Sequence, residues 1–373
     1  MAKVFWTNYR TSYKENIGQK LRRLLVNSDF MDIDFNRKYV AIKLHFGELG
    51  NMAYLRPQYA KVIADLIIER GGRPFLVDCN TLYVGSRKNA LDHLSCAAEN
   101  GFTMASTSCH VLIGDGLKGT DEVLVPIEGT HVSEAKIGRA VMDADIVISL
   151  NHFKCHENTG IGGAIKNLGM GCASRAGKME QHNSGKVEVD QDLCINCANC
   201  YRTCGVNAIS FPPPNKKAWI DPDKCVGCGR CIGVCPVDAT HAVGSNTNQL
   251  LNEKMAEYAY AVVKDRPHYH ITMLREVSPF CDCHSENDLA VIPDVGMFCS
   301  ADPVAIDVAC AEVASQQPCI PGSMLDGLTD ESGDIFAKLH PTTNWRECTL
   351  HAEKMGLGQQ AYELEFMESL PLD

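Results

Sequence analysis

The sequence predicts an α/β protein, a mostly parallel sheet flanked by helices and interrupted by a small α+β two-cluster lobe. Three observations carry that expectation. Apolar strand-like runs alternate with helix-spaced runs through the first half, a compact segment then holds eight cysteines in two matched runs, and the alternation resumes beyond it.

Residues 1–16 alternate as a strand does. Tyr39–Phe46 (YVAIKLHF) reads as a buried strand bounded by Gly47. Pro57 suits a first helical position, and Tyr59, Val62, Ile63, Leu66 and Ile67 recur at helical spacing until Gly71-Gly72. Pro74–Asp78 is a short strand with a polar loop (Asn80, Thr81, Tyr83) at its carboxyl end, and Ala144–Leu150 is another, followed by His152-Phe153-Lys154. Ligands of parallel sheets sit outside the carboxyl ends of strands, so Cys79–Tyr83 and Asn151–His156 become candidate site segments. Past the cysteine-rich stretch, Leu251, Met255, Tyr258 and Val262 mark a helix and His270–Leu274 a strand. The run 290–298 then leads to Asp302-Pro303, an N-cap followed by proline in the first turn. The expected organisation is residues 1–184 as the first part of an α/β host, 185–244 as an insertion, and 245–373 as the second part.

Composition narrows the function classes. Lys and Arg total 35 against 46 Asp and Glu, a formal net charge of −11 that argues against a nucleic-acid binder. No apolar run approaches the ~20 residues of a membrane span. The first residues lack the apolar core of a secretory signal, so a cytoplasmic protein is expected. Nineteen cysteines, an odd number, argue against a secreted disulfide framework and towards metal.

Cys194, Cys197, Cys200 and Cys204 follow C-x2-C-x2-C-x3-C, and Cys225, Cys228, Cys231 and Cys235 repeat it. Three thiolates two residues apart can line a tight loop around three corners of an iron–sulfur cube, while the fourth reaches across to the other cube. By that rule one 4Fe–4S cluster takes Cys194, Cys197, Cys200 and Cys235, and the other takes Cys225, Cys228, Cys231 and Cys204. A zinc ribbon would leave the third and fourth cysteines of each run unexplained. The segment resembles the two-cluster bacterial ferredoxin family over about 60 residues, with Gly205 where that family usually has proline. The resemblance implies single-electron transfer and, because such clusters are oxygen-sensitive, an anaerobic setting.

In the host, Lys154–His182 holds Lys154, Cys155, His156, Glu157, Lys166, Asn167, Cys172, Lys178 and His182 among six glycines. Glycines allow close backbone approach and lysines suit an anion, so this reads as a functional loop, although GxxxxGK[ST] is absent. Cys281-Asp282-Cys283-His284 could supply soft ligands to one further metal or act in redox chemistry, with Cys155, Cys172 and Cys299 as candidates to join it. Asp294 ends a strand before a glycine, and His45 ends a buried strand; both are held as site candidates. His93, His340 and His351 read as surface or core residues, and Cys96, Cys109, Cys310, Cys319 and Cys348 as small buried side chains.

VAIKLHFGE, PFLVDCNTLY, HFKCHENTGIGGAIKNLGMG, the CDC triplet and the PDVG…SADPVAID run together resemble the domain-of-unknown-function 362 family across nearly the whole chain. That resemblance implies an architecture in which many members carry a ferredoxin module at this place. The glycine-rich stretch is also loosely similar to lactate-racemase-type enzymes, and no residue role is carried across from them. The expectation for function is a relay of electrons between the two clusters and a host site drawing on Lys154, His156, Lys166, Cys281, Cys283 and Asp294. A redox partner protein and a small anionic substrate would serve it. The rival classes are an electron carrier or docking module without catalysis, and a non-redox enzyme with structural or sensory clusters.

Overall fold

The computed structural model describes residues 1–83, 85–183, 186–242, 247–328 and 333–368. Strands β1 (Ala2–Asn8), β2 (Tyr39–Lys43), β3 (Arg73–Asp78), β4 (His110–Ile113), β5 (Ile146–His152), β6 (His268–Leu274), β7 (Gly296–Ser300) and β8 (Tyr362–Phe366) form one sheet in the order β8-β1-β7-β6-β5-β2-β3-β4. Five of the seven neighbouring pairs are parallel, and both antiparallel pairs belong to β7. The mostly parallel α/β architecture expected from the alternation is therefore the one observed.

Burial explains the strand sequences. All residues of β5 (IVISLNH) are buried, as a central parallel strand covered on both faces must be. Along β2, Val40 and Ile42 enter one core and Ala41 the other, the alternation the pleat requires. The first core receives α1 (Ile17–Val26) and α2 (Pro57–Glu69), through Leu21, Leu24, Ile63 and Ile67. The second receives α3 (Ala164–Gly169), α5 (Asn248–Val263) and α6 (Pro303–Ser315). Helix α4 (Arg175–Asn183) leans on α5, where Tyr258 Oη donates to Glu180 Oε2 at 2.5 Å and Lys254 Nζ to the Glu180 carbonyl at 2.9 Å. Asp302 caps α6 as expected, accepting from the Val304 and Ala305 amides at 2.9 Å each. The fifth strand starts two residues later than the apolar run suggested and continues to His152, because that residue still pairs with Met273 of β6.

Between α4 and α5 lies the cysteine-rich lobe. Val187–Val189 pairs antiparallel with Thr240–Ala242, and Ile209–Ser210 with Trp219–Ile220, so the strand before each cysteine run pairs with the strand after the other. A shift of 31 residues (225 − 194) superposes one half on the other. Asn196, Ala198 and Asn207 have positive φ, and so do their equivalents Gly227, Gly229 and Asp238. The Cys194 amide donates to the Asp190 carbonyl at 3.1 Å, matched by Cys225 to Asp221 at 3.0 Å. The lobe has its own small core, including Ile209, Ile220 and Ile232, joined by Leu82 and Met179 from the host. The expected boundaries at Ser184–Gly185 and Gly244–Ser245 lie outside the described residues; β5 and β6, on either side of the segment, are direct neighbours in the sheet.

Candidate functional site

The chain steps from β2 to β3 and β4 on one side and places β5 on the other, which makes the carboxyl ends of β2 and β5 a topological switch point. A cleft of about 440 Å³ opens there. Lys43 and His45 reach it from β2, Asp78 and Cys79 from β3, and His152, Lys154 and His156 from β5 and its continuation. Helix α3 adds Lys166 and Asn167, α4 adds Lys178 and His182, and the 281–284 loop adds Cys281, Cys283 and His284.

Asn167 ties the switch point together. Its amide nitrogen lies 3.0 Å from the Lys43 carbonyl and 3.1 Å from the Leu150 carbonyl, and its oxygen accepts from Lys43 Nζ at 2.7 Å. Lys43, nearly unexposed, also pairs with Asp78 at 3.1 Å. Burial works to raise the Asp78 carboxyl, yet Lys43 and the nearby histidines hold it well below the usual range. Arg87 binds Glu48 at 3.0 Å and donates to His45 Nε2 at 2.8 Å. His45 faces donors on both nitrogens, the second being the Gly47 amide at 3.0 Å. Burial first, and the Arg87 charge second, lower His45 to about 3, so the ring stays neutral.

His152 is the opposite case. Its nitrogens face two acceptors, Asp282 Oδ1 at 2.9 Å and the Arg275 carbonyl at 2.9 Å. Lys154 Nζ binds the other Asp282 oxygen at 3.1 Å. Burial opposes ionisation of Asp282, but His152 and Lys154 outweigh it and hold the carboxyl well below its ordinary value. The glycine-rich stretch lets α3 approach so closely: a Cβ at Gly163 would drive into the Asp307 carboxylate, which accepts from the Ala164 and Ile165 amides at 2.6 and 2.9 Å.

Lys166 Nζ stands 3.5 Å from Cys281 Sγ. The Asn158 and Thr159 amides donate to His156 Nδ1 at 3.1 and 3.3 Å, which leaves Nε2 to carry the proton of the neutral ring. The lining holds five permanent cations (Lys43, Arg87, Lys154, Lys166, Lys178) and three carboxylates (Glu48, Asp78, Glu157). Among the described residues Lys166 and Lys178 make no ion pair, so the cleft has positive charge to spare for an anion.

The structure therefore gathers Lys154, His156, Lys166, Cys281, Cys283 and His45 around one cleft. It does not bring Asp294 there: that carboxylate, exposed, accepts from the Glu276 amide at 2.7 Å and lies 3.6 Å from Arg275. Nor do Cys155, Cys172 and Cys299 join Cys281. They are buried in the two hydrophobic cores, where burial pushes their thiols up, Cys172 to about 11 and Cys299 to about 12. Among the described residues no three His, Cys, Asp or Glu side chains are grouped to hold a single metal ion. His284, which could have added a third ligand to the two cysteines, is instead 2.9 Å from Glu157. Sequence reasoning missed Lys43, Asp78, Glu48 and Arg87. The one signal for them was a lysine inside the apolar run VAIKLHF.

In the lobe, Cys194, Cys197, Cys200 and Cys235 line one small cavity. Four thiols about a shared cavity, with left-handed residues turning the loop between them, fit a four-cornered cube, whose ligands stand farther apart than those of a single ion. The second run rests on the host. A Cβ at Gly229 or Gly233 would meet the Arg175 side chain, and Met179, one turn on, enters the lobe core. Arg175 is unexposed, its Nε donates to the Lys118 carbonyl at 3.2 Å, and Nη2 reaches the Lys88 carbonyl. Lys88 in turn pairs with Asp238 of the lobe. Helix α4 thus shows Arg175 and Met179 to the cysteine loop and Lys178 and His182 to the cleft.

Fold and cleft together define an α/β protein with a cleft at the switch point of a mostly parallel sheet. The chain belongs to the family described as Domain of unknown function (DUF362), whose model matches residues 40–312. No curated protein matches. Among solved structures the chain is similar to a Thermotoga maritima protein from structural genomics, at 12% identity and TM-score 0.42, over 81% of this chain and 59% of that one. It is also similar to the lactate racemase apoprotein of Thermoanaerobacterium thermosaccharolyticum, at 10% identity and TM-score 0.38, over 72% and 50%. The chain spans less than two thirds of the length of both. Among the described residues no helix is long and apolar enough to cross a membrane.

Proposed function

We propose that this chain is an iron–sulfur oxidoreductase component, in which the lobe binds two 4Fe–4S clusters and exchanges electrons with a small anionic substrate held in the host cleft. The observation that carries this reading is the convergence of Cys194, Cys197, Cys200 and Cys235 on one cavity, the set that the crossed spacing demands. Cys225, Cys228, Cys231 and Cys204 would hold the second cluster. Such clusters, when bound, supply single electrons at potentials tuned by hydrogen bonds and burial.

The chain's own residues would do the rest. Lys166 and Lys178, neither paired with a carboxylate, bind the anion, and Lys154, fixed by Asp282, orients it. His156, with Nδ1 already occupied, offers only its Nε2 proton. Helix α4 spans the gap between lobe and cleft, so electrons need not leave the molecule. An electron-delivering partner of basic surface suits the net charge of −11.

The test is anaerobic purification with iron, sulfide and zinc analysis. About eight irons and eight sulfides per chain are expected. Colourless protein carrying zinc would overturn the reading. Lys166→Met should then weaken binding of the anionic acceptor while leaving iron content unchanged.

A further inference from the structure

We propose that Cys281 and Cys283 form a dithiol–disulfide couple in the cleft, a store in which two electrons are collected before they pass to the bound acceptor. The delivery of those electrons one at a time rests on the cluster reading above; the couple itself rests on the geometry of the loop.

Both residues are free thiols, separated by one residue, and both line the cleft. The backbone between them is clamped. Asp282 is held through its carboxylate by His152 and Lys154, and its carbonyl accepts from the Glu48 amide at 2.9 Å. The His284 amide closes the turn on the Cys281 carbonyl at 3.0 Å, and Asn51 Nδ2 donates to the His284 carbonyl at 3.1 Å. A loop fixed at four points holds both cysteines at the cleft wall, one residue apart.

The surroundings favour one reactive sulfur. Cys281 is buried, yet Lys166 Nζ is 3.5 Å away and His156 lines the same cleft. Hydrogen bonding from Cys283, then Lys166 and His156, hold the Cys281 thiol well below its ordinary value against burial, while the same hydrogen bond and burial push Cys283 well above. Cys79, Cys172 and Cys310, equally buried but without cations and donors so arranged, are all pushed up. A thiolate beside a protonated thiol is the reduced form of an exchange pair: the first attacks and the second resolves.

The balance closes. In oxidation by a disulfide acceptor, the Cys281 thiolate attacks one acceptor sulfur and the acceptor's S–S bond breaks, releasing one thiolate. Cys283 loses its proton to the cleft water and displaces the second thiolate, forming the Cys281–Cys283 bond. Re-reduction takes two electrons and one proton, breaks that bond, and leaves a Cys281 thiolate and a Cys283 thiol. The small ring closed by two cysteines one residue apart is strained, and strained disulfides are the readily reduced ones.

The experiment uses the full chain, purified without oxygen and equilibrated in a series of reduced and oxidised glutathione mixtures. Samples are quenched in acid, unfolded, alkylated and mapped by peptide mass spectrometry, with iron and sulfide measured in parallel. The expected result is that Cys281 and Cys283 lose alkylation together as the mixture becomes oxidising, while Cys79 and Cys172 stay alkylated. In Cys283→Ser, Cys281 should instead accumulate a glutathione adduct. Full alkylation of both residues across the series, with native circular dichroism, would overturn the couple. Iron near eight without a disulfide sinks the couple alone; a disulfide in iron-free protein keeps the couple and sinks the cluster reading (eight being about four per cluster).

Discussion

In the lobe, each candidate ligand lies three or four residues from the next within its run, whereas the cleft draws Lys43, Asp78, Lys154, Lys166 and Cys281 from segments spread over 238 residues (281 − 43). The two regions also neutralise charge differently. Lobe thiols turn inward on a shared cavity. Cleft groups turn on one another, Lys43 on Asp78, Arg87 on Glu48 and Lys154 on Asp282. A change in the lobe should therefore be felt as lost cargo, and a change in the cleft as lost stability.

The sharpest way to break this contrast is Cys228→Ser. It should remove a whole cluster, lowering iron from about eight to about four per chain, while host unfolding in urea is little changed. Equal loss of host stability would show that the regions are not separable. In the cleft, Asp78→Ala should cost about 3–5 kcal/mol in urea unfolding, because Lys43 is left buried without its partner. Iron content should hold under native conditions.

A smaller effect belongs to Asp307 beneath the glycine stretch. Burial pushes its carboxyl up to about 7, against the Ile165 and Ala164 amides that favour the charged form. An unfolded aspartate titrates near ~3.9, so the folded chain binds the extra proton between these values. Its contribution is present below about pH 4 and is lost as pH rises through about 7. Asp307→Asn should flatten that fall, a difference of ~1–3 kcal/mol between pH 5 and 8 by urea unfolding; an unaltered slope would assign the pH dependence elsewhere. Smallest is Asp302→Ala, far from either region, which should cost ~1 kcal/mol of thermal stability through the lost cap and leave iron and anion binding alone.

The same contrast decides what the sequence could reveal. The lobe is readable because its geometry is local: two spaced runs, and turns at Gly227 and Gly229 where positive φ is needed. The parallel sheet is readable from alternation, and the Asp302-Pro303 start of α6 from its cap chemistry. The reversed direction of β7 is not, since GMFCS carries no mark of which way its neighbours run. Composition exposed Lys154 and Lys166, because lysines among so many glycines are unusual. Asp78 and Arg87 look like ordinary strand-end and loop residues until the fold brings Lys43 and Glu48 to them. Asp294 misled because it is not a strand end: it sits just before β7, beside Arg275 at the carboxyl end of β6, to one side of the switch point between β2 and β5.

Val187 and Ala242 are paired across one strand spacing, so the lobe's first and last strands lie side by side. With both ends drawn together on one side, the grip between lobe and host falls to Leu82, Met179, Arg175 and the Lys88–Asp238 pair.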